Sequence, residues 1–391
     1  MATSSAPLLV NQRSGRVLLV AKTEEGGWTP TEIATESRWP AWRPEGRGAV
    51  RSSVIGAGDA ARSSIVAEEL DGTAVSIYEG PPGQATFIAP NVPHYALWSP
   101  AGDAVSYVAA TERGLSLELS TLDGTLTNHH VATGVPLFHS WSSDGGRIAV
   151  HEGSRLLQFD RATLDVQEIH QNAVGFRTPQ FAPDGGLIYA APALAGGIAL
   201  FRHDPDGSSH ELGRFDGGLA FSIMGGEVFV AVTHRADAST FHSLWRVALD
   251  GAGREPVARG PLAGFWVSPA GAILVTVVPA QSGDGMVALN ACTPAGELAG
   301  VTEPFLASDD LRVAMTFFDQ YSLSHSPWSP DGGRLVVCGR VRADGTSASF
   351  GDPVGDYVMT WQPARGEPFE QVVPGSLASF PPKSRPEDES Q

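Results

Sequence analysis

A short phrase recurs along the chain: an aromatic residue, then Ser-Pro or a close variant, then Asp-Gly or Ala-Gly. Its fullest copy is Trp328-Ser329-Pro330-Asp331-Gly332-Gly333-Arg334. WSPAGD starts at Trp98, WSSDGGR at Trp141, FAPDGGL at Phe181 and VSPAGA at Val267. WRPEGR at Trp42 is a further copy, and FSIMGGE at Phe221 a degraded one. The copies stand 40 to 61 residues apart along the 391 residues. A period of this size marks an architecture that grows by adding one supersecondary unit after another. It overrides the two or three separate domains that length alone would suggest.

Each copy reads as the end of one strand, a tight turn and the start of the next. Pro presets φ for the turn, and Gly takes its left-handed position. Apolar, β-branched runs follow: AVSYVAA from Ala104, RIAVHE from Arg147, GLIYAAP from Gly186, EVFVAVT from Glu227, AILVTVV from Ala272 and RLVVCGRV from Arg334. Each predicts a buried strand. A third strand ends in Asp-Gly at Gly72, Gly124, Gly207 and Gly251, the usual short hairpin turn. A fourth, less apolar strand leads to the next copy. Four strands in about 40–45 residues make a β-propeller blade, and the 45 glycines and 29 prolines suit so many turns.

The expected fold is therefore all-β: a single β-propeller of four-stranded antiparallel blades over residues 1–381, with a disordered polar tail over 382–391. The two longest units predict insertions near Ala57–Ser64 and Leu306–Tyr321. Residues 8–34 supply three strands (LLVNQ, RVLLVAK, WTPTEIA) with no signature before them, and GSLASFPP (Gly375–Pro382) offers one with nothing after it. Pairing the N- and C-terminal strands would close the ring and remove the open sheet edge. That gives eight blades, or seven if Phe380 is not a true copy.

These WSPDG units resemble those of TolB-type, WD40-like propellers. They are also similar to the propeller part of the dipeptidyl-peptidase and prolyl-oligopeptidase families. Those peptidases carry a Gly-x-Ser-x-Gly elbow on a separate α/β-hydrolase domain. The chain has no such motif and no residues left to build that domain, so the resemblance implies the fold without the peptidase activity. A looser similarity is to oligogalacturonate lyases, cytoplasmic propellers that hold a metal with histidines and a glutamine.

Charge narrows the partners. The formal net charge is −17, and the chain's lysines are Lys22 and Lys383. Nucleic acid and anionic membrane surfaces both call for clustered Lys and Arg, and are excluded on that ground. The two cysteines, Cys292 and Cys338, support neither a disulfide framework nor a structural zinc site. No apolar run reaches the length of a signal core or a membrane span, and the expected location is the cytoplasm.

The innermost strand of each blade runs along the central channel, and the loop before it opens at one channel mouth. Residues just ahead of the signatures therefore converge there: Arg38, His94, Tyr95, His139, Arg177, Thr178 and His325. Their simplest role is to hydrogen-bond the ends of the inner strands. An anion site would use Arg38 and Arg177 as positive forks and the histidines as donors. A metal site would use His94, His139 and His325, with Gln320 or Asp319 supplying oxygen. The insertion running to His325 would be a loop packed over the last blades, a lid or a docking element, and Pro81–Tyr95 would wall the same face. Asp144, Asp184 and Asp331 fall in turns of the opposite face and read as turn caps. His129-His130 reads as surface, and Trp28, Trp39 and Trp245 as packing residues.

The reading that follows is a non-catalytic cytoplasmic propeller, without a cofactor, that binds a protein partner or a small anionic ligand at the channel mouth. The alternative is a metal-dependent lyase or hydrolase acting on an anionic, uronate-like substrate.

Overall fold

A computed structural model describes residues 6–55, 62–80, 95–111, 114–173, 177–194, 196–224, 226–235, 240–269, 271–280, 285–341 and 355–383. Five antiparallel sheets follow chain order without a crossover. They comprise Ser37–Trp42, Gly48–Ile55, Arg62–Glu69 and Ala74–Glu79; Tyr95–Trp98, Ala104–Thr111, Gly114–Thr121 and His129–Thr133; Leu137–Trp141, Arg147–Glu152, Arg155–Asp160 and Val166–His170; Gln180–Phe181, Leu187–Pro192, Ile198–His203 and Ser209–Phe215; and Leu219–Met224, Glu227–Thr233, Phe241–Ala248 and Arg254–Leu262. These are the four-strand meanders that the signature spacing predicts.

The sixth sheet is composite. Trp28–Ala34, Val17–Lys22 and Leu8–Asn11 take their fourth strand from Leu377–Ser379, with Leu9 opposite Ser379 and Asn11 opposite Leu377. The remaining strands form one larger sheet. Gly264–Val267, Leu274–Pro279, Val287–Cys292 and Leu298–Val301 make a meander. Phe305–Ala307 then touches Val287 on one side and Leu335–Val341 on the other, and Tyr357–Trp361 and Glu370–Pro374 complete the array.

The signature works as turn chemistry. In the Trp328 copy, Ser329 N–H donates to Arg334 O at 2.8 Å and Gly332 N–H to Ser329 O at 2.8 Å. Gly332 takes φ +70°, a conformation in which a Cβ would be strained. The Asp331 carboxylate accepts from Ser329 Oγ at 2.6 Å and from Gly333 N–H at 3.0 Å. Asp144 repeats this with Ser142 and Gly146, and Asp184 accepts from Gly186 N–H and from Arg202. The Ser142 hydroxyl beside Asp144 and the Ser329 hydroxyl beside Asp331 hold those carboxyls below the usual range. All three aspartates are turn caps. Phe221 lies inside a strand, Leu219–Met224, that runs on past the place where the other copies turn.

In three copies the signature tryptophan joins one sheet to its predecessor. Trp42 Nε1 donates to Ser379 O at 3.0 Å, Trp98 Nε1 to Ala41 O at 3.3 Å and Trp141 Nε1 to Ser106 Oγ at 2.9 Å. Each indole is nine-tenths or more buried, so its apolar surface leaves water while its one polar atom stays satisfied.

Of the two expected insertions, residues 56–61 lie outside the described residues, and Ser63 and Ser64 belong to the strand Arg62–Glu69. The other holds two helices, α1 (Asp309–Thr316) and α2 (Phe318–Ser324). Ser308 caps α1 by accepting from Leu311 N–H at 3.1 Å. The tail residues 384–391 also lie outside the described residues. No helix of the described residues is long and apolar enough to cross a membrane.

Candidate functional site

α1 and α2 sit against the inner ends of several sheets. Phe318, Asp319, Gln320, Tyr321 and Ser324 of α2 are all buried. Such burial of polar residues requires partners, and these come from strands far away in the chain. The Gln320 amide receives the His139 N–H at 3.2 Å and donates to the His139 carbonyl at 3.1 Å. It also accepts from Thr178 Oγ1 at 3.2 Å. Tyr95 Oη donates to the Gln320 carbonyl at 2.8 Å, and Thr178 N–H donates to Asp319 Oδ2 at 3.0 Å. Three inner-strand regions thus bind two consecutive residues of one helix.

Ring contacts fill the remainder. Phe318 lies 4.8 Å from Phe265 and 5.9 Å from Phe241. Tyr321 lies 4.8 Å from Trp39 and 5.3 Å from Tyr95. Trp39 reaches this position through a bulge: the register with Gly48–Ile55 shifts between Arg38 and Ala41, and Trp39 takes φ +48°. A non-glycine residue held there marks a backbone constrained by its surroundings. At the start of α1, the buried Asp310 carboxylate accepts from Ser376 Oγ and from Asn11 Nδ2, which ties the helices to the paired terminal strands.

The sequence-predicted rim is thereby placed. Tyr95, His139, Arg177, Thr178 and His325 converge with Gln320 and Asp319 around α2. His139 is fully buried, with Nε2 against Ser106 Oγ at 2.8 Å. His325 Nδ1 meets Ser324 Oγ at 2.7 Å. Burial holds His139 down to about 3 and His325 down to about 4, so both imidazoles are neutral at neutral pH. Burial pushes the Asp319 carboxyl up, against the opposing pull of Arg177 and the Thr178 hydrogen bonds. Arg177 is half-buried, donates through Nε to Leu219 O and lies 5.7 Å over the Phe241 ring. Arg38 is half-buried in Ser37–Trp42, opposite Ser52. His94, with residues 81–93, lies outside the described residues.

Among the described residues, no group of three or more His, Cys, Asp or Glu side chains could hold a metal ion. Of the two alternative oxygen donors of the expected metal set, Gln320 binds the His139 main chain, and Asp319 accepts from Thr178 N–H through Oδ2. His130 is on an outermost strand and pairs with Ser116 and Glu118, as a surface residue should. Trp39 packs as expected.

A cavity of about 280 Å3 adjoins Leu323 and Ser324 of α2 and reaches the signature turns at Pro44 and Pro100. Trp42, Trp98 and Trp141 line it. Since their indole N–H groups are spent between sheets, these three tryptophans add no donor to it.

No family model matches the chain, and no curated protein matches it. Solved structures do. The dihydro-heme d1 dehydrogenase NirN in complex with DHE aligns at TM-score 0.60 and 11% identity, over 97% of this chain and 75% of that one. The β-propeller domain of the Trilobed protease from Pyrococcus furiosus aligns at 0.49 and 14%, over 86% and 96%. TolB from Acinetobacter baumannii aligns at 0.40 and 14%, over 86% and 83%. The succession of four-stranded antiparallel meanders gives the chain a β-propeller fold. At these identities the likeness concerns the fold alone.

Proposed function

We propose that this propeller is a non-catalytic binding protein whose α1–α2 face, at the channel mouth, receives a protein partner or a small anionic ligand. In this reading its sheets form eight blades in a ring closed by Leu8–Asn11 and Leu377–Ser379, and it works in the cytoplasm. The two cysteines, buried and free, accord with that location. The observation that carries the proposal is the helical hairpin itself. The residues that would face a substrate at the mouth instead hold α2, with Gln320 and Asp319 bound by Tyr95, His139 and Thr178. Asp309, Arg312 and Thr316 of α1 face solvent together, at the i, i+3, i+7 spacing of one helix face.

Native mass measurement of the purified protein, with co-purification from its own host, tests the partner arm. A thermal-shift panel of small anions on wild type, Arg38→Ala and Arg177→Ala tests the ligand arm. A specific assembly, or an anion-dependent stabilisation that both variants weaken, is the expected result. A solitary monomer that retains nothing and responds to no anion would sink the reading.

A further inference from the structure

Away from the hairpin, the fifth meander carries a groove that the sequence did not announce. It lies where the strand Phe241–Ala248 begins, beside the end of its neighbour Arg254–Leu262. Its volume is about 490 Å3, and the residues around it include His234, Phe241, His242, Ser243, Trp245 and Arg259. That size falls within the range of small-molecule sites. The composition of the wall is unusual for this protein. The chain has 43 acidic residues against 26 basic ones, yet among the described residues this wall holds one arginine, two histidines and no carboxylate.

The geometry is specific. The His234 and His242 rings stack face to face, with centroids 3.8 Å apart and planes 11° from parallel. Parallel imidazoles at this distance cannot both be cationic without a counter-charge. His242 is held below the usual imidazole range by burial first and by His234 second. Trp245 is oriented by its indole N–H, which donates to Ser243 Oγ at 3.0 Å. Arg259 stands opposite Ser243 across the strand pair and is exposed.

A second lobe of about 500 Å3 shares His234, His242, Ser243 and Trp245 and reaches Arg254. The Arg254 guanidinium lies 4.9 Å over Phe215 and 5.3 Å over Trp245, a cation held by two aromatic faces. Asp216 lines this second lobe, so the anion-accepting part is the first lobe. Two nearby carboxylates among the described residues are paired elsewhere: Glu211 with Arg214 at 2.8 Å and Glu255 with Arg246 at 2.6 Å.

We propose that the groove bounded by His234, His242, Trp245 and Arg259 is a binding site for a small aromatic anion, a planar ring bearing a phosphate or carboxylate. The anionic group sits between Arg259 and the stacked imidazoles, and supplies the counter-charge that lets one of them take a proton. The ring of the ligand lies against the Phe241 and Trp245 side of the groove. Arginine gives the planar fork that matches either oxyanion, and the aromatic wall separates such a ligand from a bare inorganic ion. The groove adjoins the α2 cluster through Phe241, which also packs on Phe318 and under Arg177.

Calorimetric titration with phenyl phosphate, benzoate and inorganic phosphate tests the site. An aryl anion should bind at least about tenfold more tightly than inorganic phosphate, with phenyl phosphate against benzoate deciding the oxyanion. Arg259→Ala and His234→Gln change exposed side chains, and each should weaken aryl-anion binding by about tenfold or more. NMR titration should move the His234 and His242 ring signals in wild type. The absence of saturable binding for both aryl anions overturns the proposal, as does binding that neither substitution changes. Equal affinity for all three probes would reject the aromatic part and with it the ligand class.

Discussion

Replacing Gln320 by Leu asks whether the hairpin is pinned by that one side chain. Leucine fills nearly the same volume but offers no amide. Three buried groups then lose a partner: the His139 N–H, the His139 carbonyl and the Thr178 hydroxyl. A buried polar group left unsatisfied costs about 1–3 kcal/mol. Partial relaxation keeps the sum toward the low end, about 3–6 kcal/mol. An unfolding entropy of about 2.1 cal/mol/K per residue gives about 0.8 kcal/mol/K for this chain, so the melting temperature should fall by about 4–7 °C. Scanning calorimetry reads the shift, and hydrogen exchange localises it. The His139 amide should lose protection before the amides that pair Arg147–Glu152 with Arg155–Asp160. A variant that melts within about 1 °C of wild type, with His139 still protected, would refute the reasoning, because the amide would then contribute nothing net.

Two further outcomes follow from the same contacts. Because burial raises the Asp319 carboxyl, the fold prefers its neutral form. That contribution is present below the unfolded-state pKa of about 3.9 and is lost as pH rises through the folded value. Asp319→Asn should therefore be more stable than wild type at about pH 8, with the difference vanishing near pH 3.5; a less stable variant at the higher pH would mean that pairing with Arg177 outweighs desolvation. Ending the chain at Pro374 removes the strand opposite Leu8–Asn11 and should convert a monodisperse protein into self-associating species on light-scattering chromatography; a truncated monomer with the wild-type melting temperature would speak against the closed eight-bladed ring.

The strands and turns were legible because their signals are local. Pro330-Asp331-Gly332 dictates its own hydrogen bonds, and the runs after each signature carry their burial in their composition. The terminal pairing was legible by elimination, since residues 8–34 lacked an inner strand and Gly375–Pro382 offered one. Convergence of Tyr95, His139, Arg177 and His325 followed from the repeat. What they converge upon did not. Asp309-Asp310 hinted at a helix start, but nothing near Gln320 in sequence announces that its amide will meet His139, 181 positions away. Gln320 or Asp319 entered the sequence reading only as the oxygen donor of the alternative metal site, because oxygen-bearing side chains near histidines read alike whether they meet an ion or a main-chain N–H. The groove at His234 and His242 was missed for a different reason. Its residues come from two adjacent strands and the loop before them, at spacings that match no motif, and the rings meet through a bulge at His242, which falls between the Val232–Ser243 and Thr233–Phe241 pairs.

The composite sheet also sets a clock. Leu8–Asn11 leaves the ribosome early, while its partner Leu377–Ser379 is made about 370 residues later. At about 5–20 residues per second, the first strands wait roughly 20–70 s for the last one. Throughout that interval the early sheet holds a buried-type apolar strand, Leu-Leu-Val-Asn, with one side unpaired. Each nascent chain must pass through this period before Leu377–Ser379 pairs with Leu8–Asn11, so sheltering that edge during synthesis is as much a requirement of this architecture as the contacts that stabilise the composite sheet.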